Sequence, residues 1–132
     1  MMNKIMLFLL SWAIFFVVDM FWIRVIMGSF YRTHMQTFFR FNMHNSHQIL
    51  GLFVWFLLVL GIMYFVLPVA TNLSVALLGG FIFGLVVYGV YDLTNYVVIN
   101  NWSLTLTFVD LLWGCLVNSF MSGLIFYLNH KL

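Results

Sequence analysis

The chain has 132 residues, of which 65% are hydrophobic and 6% charged, with a net charge of +2. A soluble domain carries about 25% charged residues, so a water-soluble fold is excluded and an integral membrane protein is expected. The small, dispersed charge gives no basis for a nucleic-acid partner, and the single cysteine, Cys115, excludes an internal disulfide or a zinc pattern.

Residues 1–10 carry Lys4 ahead of apolar residues, as a signal peptide does. The apolar run continues to Met27 with no small-residue cleavage site, so a retained first helix over 5–27 is expected. It holds Asp19, Trp22 and Arg24. The connection 28–47 mixes Arg32, Arg40, His34, His44 and His47 with Phe30, Tyr31, Phe38, Phe39 and Phe41. That mixture suits a segment lying among lipid head groups, and a connector is expected there rather than a binding site. A second span over 48–68 has no charge and reads as scaffold. The short turns 69–72 and 100–103 make spans 48–68, 73–99 and 104–128 antiparallel neighbours. Each span reaches the roughly 20 residues that cross the hydrocarbon. One proline, Pro68, and no Ser/Gly linker predict a single transmembrane domain over 1–132, an all-α four-helix bundle.

Small residues mark helix contacts. Gly80 and Gly84 form a G-x-x-x-G step, and Gly114, Asn118 and Ser122 continue a stripe begun by Asp110. Cys115 reads as packing. Arg24, Arg32 and Arg40 on one side against Lys4 and Lys131 on the other place the long connection in the cytoplasm by a margin of one charge.

The three acidic residues, Asp19, Asp92 and Asp110, all lie inside spans. Each costs about 2.5–3.5 kcal/mol at the centre of a spanning helix, so they are expected to face inward. At 1.5 Å per residue, Asp19 lies roughly 5 Å and the other two about 9 Å from their span midpoints, all toward the side of the long connection. Tyr88, Asn95 and Thr107 reach the same level, Trp102 caps it, and Arg24 reaches back to Asp19 or snorkels outward. Asp19-Met-Phe-Trp22 and Asp110-Leu-Leu-Trp113 share the D-x-x-W spacing, which sets an indole N–H beside each carboxylate; the alternative is an interfacial Trp belt. Three carboxylates with one Arg cannot all be ionised and well paired in a low dielectric, so at least one, Asp92 first, is expected to keep its proton. The candidate polar site is therefore Asp19, Trp22, Arg24, Tyr88, Asp92, Asn95, Trp102, Asp110 and Trp113, with no catalytic residue assigned.

Tyr91-Asp92-Leu93-Thr94-Asn95, then Asn101-Trp102 with Leu104, then Asp110 with Trp113-Gly114, resemble the DUF2177 family of small bacterial membrane proteins. Asp19 and Trp22 resemble that family's first helix, so the resemblance runs from Asp19 to about Gly114. Ser103 stands where the family pattern has Pro. The resemblance implies a four-helix protein of the bacterial cytoplasmic (inner) membrane and supplies no activity.

Three function classes stay open. The Asp cluster suits a binding or translocation-like role for a proton, a cation or a small molecule. Four helices form a thin bundle, so a through-path calls for a homo-oligomer. An intramembrane enzyme acting on a lipid or hydrophobic substrate is the second class. It is disfavoured because no nucleophile motif appears: Ser11, Ser119 and Ser122 have no His nearby in sequence. The third class is an accessory subunit in which the cluster only fixes helix register. No cofactor is expected, and no metal, since His44-x-x-His47 lacks an acidic neighbour. The expected partners are the bilayer, a second copy, and a lipid or small-molecule ligand. Asp→Asn at 19, 92 and 110 is expected to keep shape and most hydrogen bonding, and so to separate function from scaffold.

Overall fold

A computed structural model describes residues 3–38, 40 and 42–131; Phe39 and Phe41 of the aromatic connection lie outside the described residues. Four helical stretches are long and apolar enough to cross a membrane: Lys4–Ile26, Asn45–Val69, Leu73–Val98 and Leu104–Lys131. The chain is an all-α, multi-pass integral membrane protein. The boundaries lie within three residues of those expected from hydropathy.

Helix α1 (Lys4–Phe21) begins at Asn3, whose side chain accepts from Ile5 N–H. Its buried residues, Leu7, Ser11, Phe15 and Asp19, recur every four positions. Asp19 thus ends one continuous inward stripe. A π-turn over Trp22–Ile26 prolongs α1. The short helix α2 (Gly28–Met35) then occupies the connection.

Helix α3 (Asn45–Gly61) starts where His44 N–H donates to the Nδ1 of His47 at 3.2 Å. The H-x-x-H pair is therefore a helix cap. Near the far end, Pro68 has no N–H and its ring collides with the carbonyl four residues earlier. The chain answers by widening into a π-turn over Ile62–Val66, then tightening into a 3₁₀ turn over Leu67–Val69.

Helices α4 (Leu73–Val98) and α5 (Leu104–Lys131) form an antiparallel hairpin. Its turn places Asn101 at φ 64°, a left-handed conformation that Asn tolerates. Ser103 Oγ accepts from Leu106 N–H at 3.2 Å and so caps α5 at the departure from the family's Pro. Gly80 packs against Asn118 and Ser122, and Gly84 against the backbone of Gly114 and Cys115. The G-x-x-x-G step and the α5 stripe are thus two halves of one contact, where backbones approach closely.

Aromatic pairs join α1 to α3: Phe8 with Phe56, centroids 4.8 Å apart, and Phe16 with Trp55 at 5.0 Å. An apolar core including Leu7, Phe15, Val59, Ile62, Met121 and Ile125 fills the half of the bundle nearer the termini. The polar residues gather at the other end.

Candidate functional site

Asp19 is 6% exposed and both its oxygens are engaged. Oδ2 accepts from the Trp55 indole at 2.8 Å and Oδ1 from the Trp113 indole at 2.7 Å. One carboxylate of α1 thereby ties α3 and α5 together. Charge-assisted bonds of this kind are short and about twice as strong as neutral ones. Arg24 is exposed on the π-turn and both Asp19 oxygens accept from indoles, so of the two expectations for Arg24 the reach back to Asp19 is not the one observed.

The D-x-x-W pairs also resolve differently from the sequence expectation. Trp113 donates to Asp19 on α1, not to Asp110 three residues before it on its own helix. Trp22 donates to the Tyr31 hydroxyl at 3.2 Å and lies flat on Trp113, with centroids 4.1 Å apart and planes 2° apart. An indole is long enough to cross the 8–10 Å between packed helix axes, so each Trp serves a neighbouring element.

Asp110 is reached by the connection. Tyr31 of α2 donates its hydroxyl to Asp110 Oδ1 at 2.7 Å and is 7% exposed. The expectation that residues 28–47 form only an interfacial connector is corrected here: α2 brings the Tyr31 hydroxyl to a carboxyl at the polar end of the bundle. Burial and the neighbouring Asp110 push the Tyr31 phenol well above its ordinary value, so it remains a donor. A group held protonated in this way contributes its stability in full below its unfolded pKa of about 10 and loses it as pH rises further. The stability gap between wild type and Tyr31→Phe is therefore expected to narrow above about pH 10, as read by thermal unfolding in detergent across an alkaline pH series. A gap that widens would contradict the donor role.

Asp92 is fully buried and faces Asp110 from α4, and among the described residues neither of its oxygens meets a hydrogen-bond donor. Two ionised carboxylates offer only acceptors, so a shared proton is the one direct bond open to this pair. Asp92 extends the α4 stripe that runs through Ala76, Gly80 and Gly84, again at steps of four or multiples of four.

Around these groups lies a partly open cavity of about 260 Å³. Asp19, Asp110 and Trp113 form its polar wall, and Tyr31 and Met35 from α2, Tyr88 and Tyr91 from α4, and Trp102 complete the lining with Ile23 and Leu106. Tyr88 is held by Gly114, where a side chain would collide with its ring. Trp102 is 8% exposed and its indole N–H has no hydrogen-bond partner among the described residues. Asn95 is half-buried one turn beyond Asp92, outside the cavity wall. Thr107 is buried and donates to the Ser103 carbonyl at 3.0 Å, a helix-terminal role.

Of the nine candidate residues, Asp19, Tyr88, Trp102, Asp110 and Trp113 line the cavity. Trp22 and Asp92 support it from behind, while Arg24 and Asn95 stand apart. Sequence reasoning missed Trp55 and Tyr31. A Trp at mid-span, away from the interfacial belt, needs a partner for its N–H, and that signal marks Trp55 in the span read as scaffold. Tyr31 carried no such signal. Among the described residues, no three His, Cys, Asp or Glu side chains are placed to hold a metal ion.

Neither the curated proteins nor the solved structures include a match to this chain. A family model described as a predicted membrane protein, DUF2177, matches residues 4–127. That match runs from the first turn of α1 almost to the end of α5, and takes in every carboxylate and indole of the site. The chain belongs to the DUF2177 family of membrane proteins.

Proposed function

We propose that the protein binds, within the membrane, a small ligand or head group that donates a hydrogen bond to Asp110. The observation that carries this reading is the 260 Å³ cavity, whose polar wall holds two carboxylates and is lined by no Arg, Lys or His. Ionisable side chains inside a span are costly and mark functional sites. Between the cavity and the termini the buried side chains are mainly aliphatic and aromatic, with Ser11, Asn118 and Ser122 the buried polar ones among the described residues, and this mainly apolar filling favours binding over conduction.

The test is labelling by dicyclohexylcarbodiimide, a membrane-soluble reagent that attacks protonated carboxyl groups. Wild-type protein in vesicles is expected to carry one adduct on Asp110, located by peptide mass spectrometry and lost in Asp110→Asn. If Asp110 stays unlabelled even at a pH low enough to protonate it, under conditions that leave the protein folded, the cavity is not accessible and the reading fails.

The facing carboxyls of Asp92 and Asp110 favour a second reading, acid–base chemistry on a membrane-borne substrate. Two acids in unlike surroundings divide the acid and base roles. Under this reading, Asp92→Asn abolishes a change in the cells' lipid profile that expression of the wild type causes, while Asp110 remains reactive. A profile identical with and without wild-type expression would remove it.

A further inference from the structure

Helices α3 and α4 are joined by a short turn, yet they separate toward the polar end of the bundle. The π-turn Ile62–Val66 packs on both α4 and α5, whereas α3 itself packs on α1 and makes almost no backbone contact with α4. The Pro68-induced turn thus pins one end of α3 and leaves a gap beside the other. In that gap lies a second cavity, of about 200 Å³, lined by Val54, Leu58, Val87, Tyr88, Tyr91 and Asp110. Val54 and Tyr91 are exposed on the outer surface of a spanning bundle, so the gap faces acyl chains. Asp110, Tyr88 and Tyr91 belong to both cavities. The carboxyl is therefore approached from the connection side and, separately, from the bilayer.

We propose that this gap is a lateral portal by which an uncharged lipid alcohol, of the diacylglycerol class, places its free hydroxyl at Asp110 while its chain lies between α3 and α4. The proposal rests on the reading of Asp110 as a binding residue and names the ligand class. The aliphatic walls of Val54, Leu58 and Val87 suit a hydrocarbon chain. The head group is restricted by charge: neither cavity is lined by Arg, Lys or His, Asp19 and Asp110 line them, and buried Asp92 lies behind Asp110. A phosphate would meet like charge with no counter-ion. The buried indole N–H of Trp102, unpartnered among the described residues, narrows the choice further. Asp110 Oδ1 already accepts from Tyr31, which leaves Oδ2 for an incoming hydroxyl, and Trp102 on the wall of the first cavity offers an N–H that a hydroxyl or ester oxygen of the same head group can accept. An ammonium group would satisfy the carboxyl and leave the indole unmet.

Photo-crosslinking in nanodiscs tests this with two probes: a diacylglycerol and a phosphatidylcholine, each bearing a diazirine in the same position of one acyl chain. The diacylglycerol is expected to label residues 54–58 and 87–91 severalfold more than the phosphatidylcholine, and unlabelled diacylglycerol should compete. Val54→Trp, which fills the gap from the lipid side, is expected to abolish the excess. Trp102→Phe, which removes the indole donor and leaves Asp110 in place, is expected to reduce it. Equal labelling by the two probes would mean ordinary surrounding lipid and would overturn the portal. If carbodiimide still modifies Asp110 in that case, the binding reading stands without the portal; if it does not, both fall.

Discussion

Asp19→Asn is expected to destabilise the bundle by about 1–3 kcal/mol, even though Asn matches Asp in shape. Both Asp19 oxygens accept from indole N–H groups, one on α3 and one on α5. An amide keeps one acceptor and turns the other position into a donor, so one indole faces N–H against N–H. Leaving a buried donor unpaired costs about 1–3 kcal/mol. The membrane-embedded unfolded state also finds partners for such groups, which holds the net effect toward the lower part of that range. Denaturation in mixed micelles should show the loss as an earlier midpoint, with near-ultraviolet circular dichroism reporting the freed Trp55 and Trp113. An unchanged midpoint would mean that Asp19 contributes nothing to helix association. The expectation that Asp→Asn keeps shape and most hydrogen bonding meets its exception at Asp19, where both oxygens accept and an amide can serve only one of them. Asp110, whose Oδ1 an amide can retain as acceptor for Tyr31, is the position at which the proposed binding role is tested apart from the fold.

Gly84→Val is expected to cause the larger loss, most of the folded yield. A side chain at Gly84 would run into the Gly114 carbonyl and the Cys115 backbone. Overpacking against movable side chains costs about 1–3 kcal/mol. Here the obstacle is a helix backbone, so α4 and α5 must part, and with them the alignment of Asp92, Asp110 and Tyr88. The matched control is Gly51→Ala, on α3, where nothing lies within 4 Å. Replacing that mid-helix glycine should be neutral or raise stability by up to about 1 kcal/mol. Folded yield by size-exclusion chromatography compares the two. Equal yields would mean that the hairpin tolerates separation at Gly84.

Much of the polar end was legible in the residues because its determinants are local. Asp19 and Asp92 sit on small-or-apolar stripes at four-residue spacing, and such stripes point inward whichever helix they meet. What stayed hidden depended on partners distant in sequence. Trp113 is three residues from Asp110 and 94 from Asp19, and it bonds to the latter. Tyr31 is 79 residues from the carboxylate it reaches. A helix period says which side of a helix is inward. It does not say which neighbour stands there.

By itself the sequence determined that four helices cross a membrane and that three acids lie inward and toward one side, since hydropathy, length and rise per residue are properties of each segment alone. Only the tertiary structure decided which donor meets which carboxyl, that the connection supplies one of them, and that α3 stands away from α4 beside Asp110. Those outcomes follow from the rotation and tilt at which helices pack, and these are set by contacts such as Gly84 on Gly114 and by the turn that Pro68 imposes, in which residues far apart along the chain, or the backbone itself, act together.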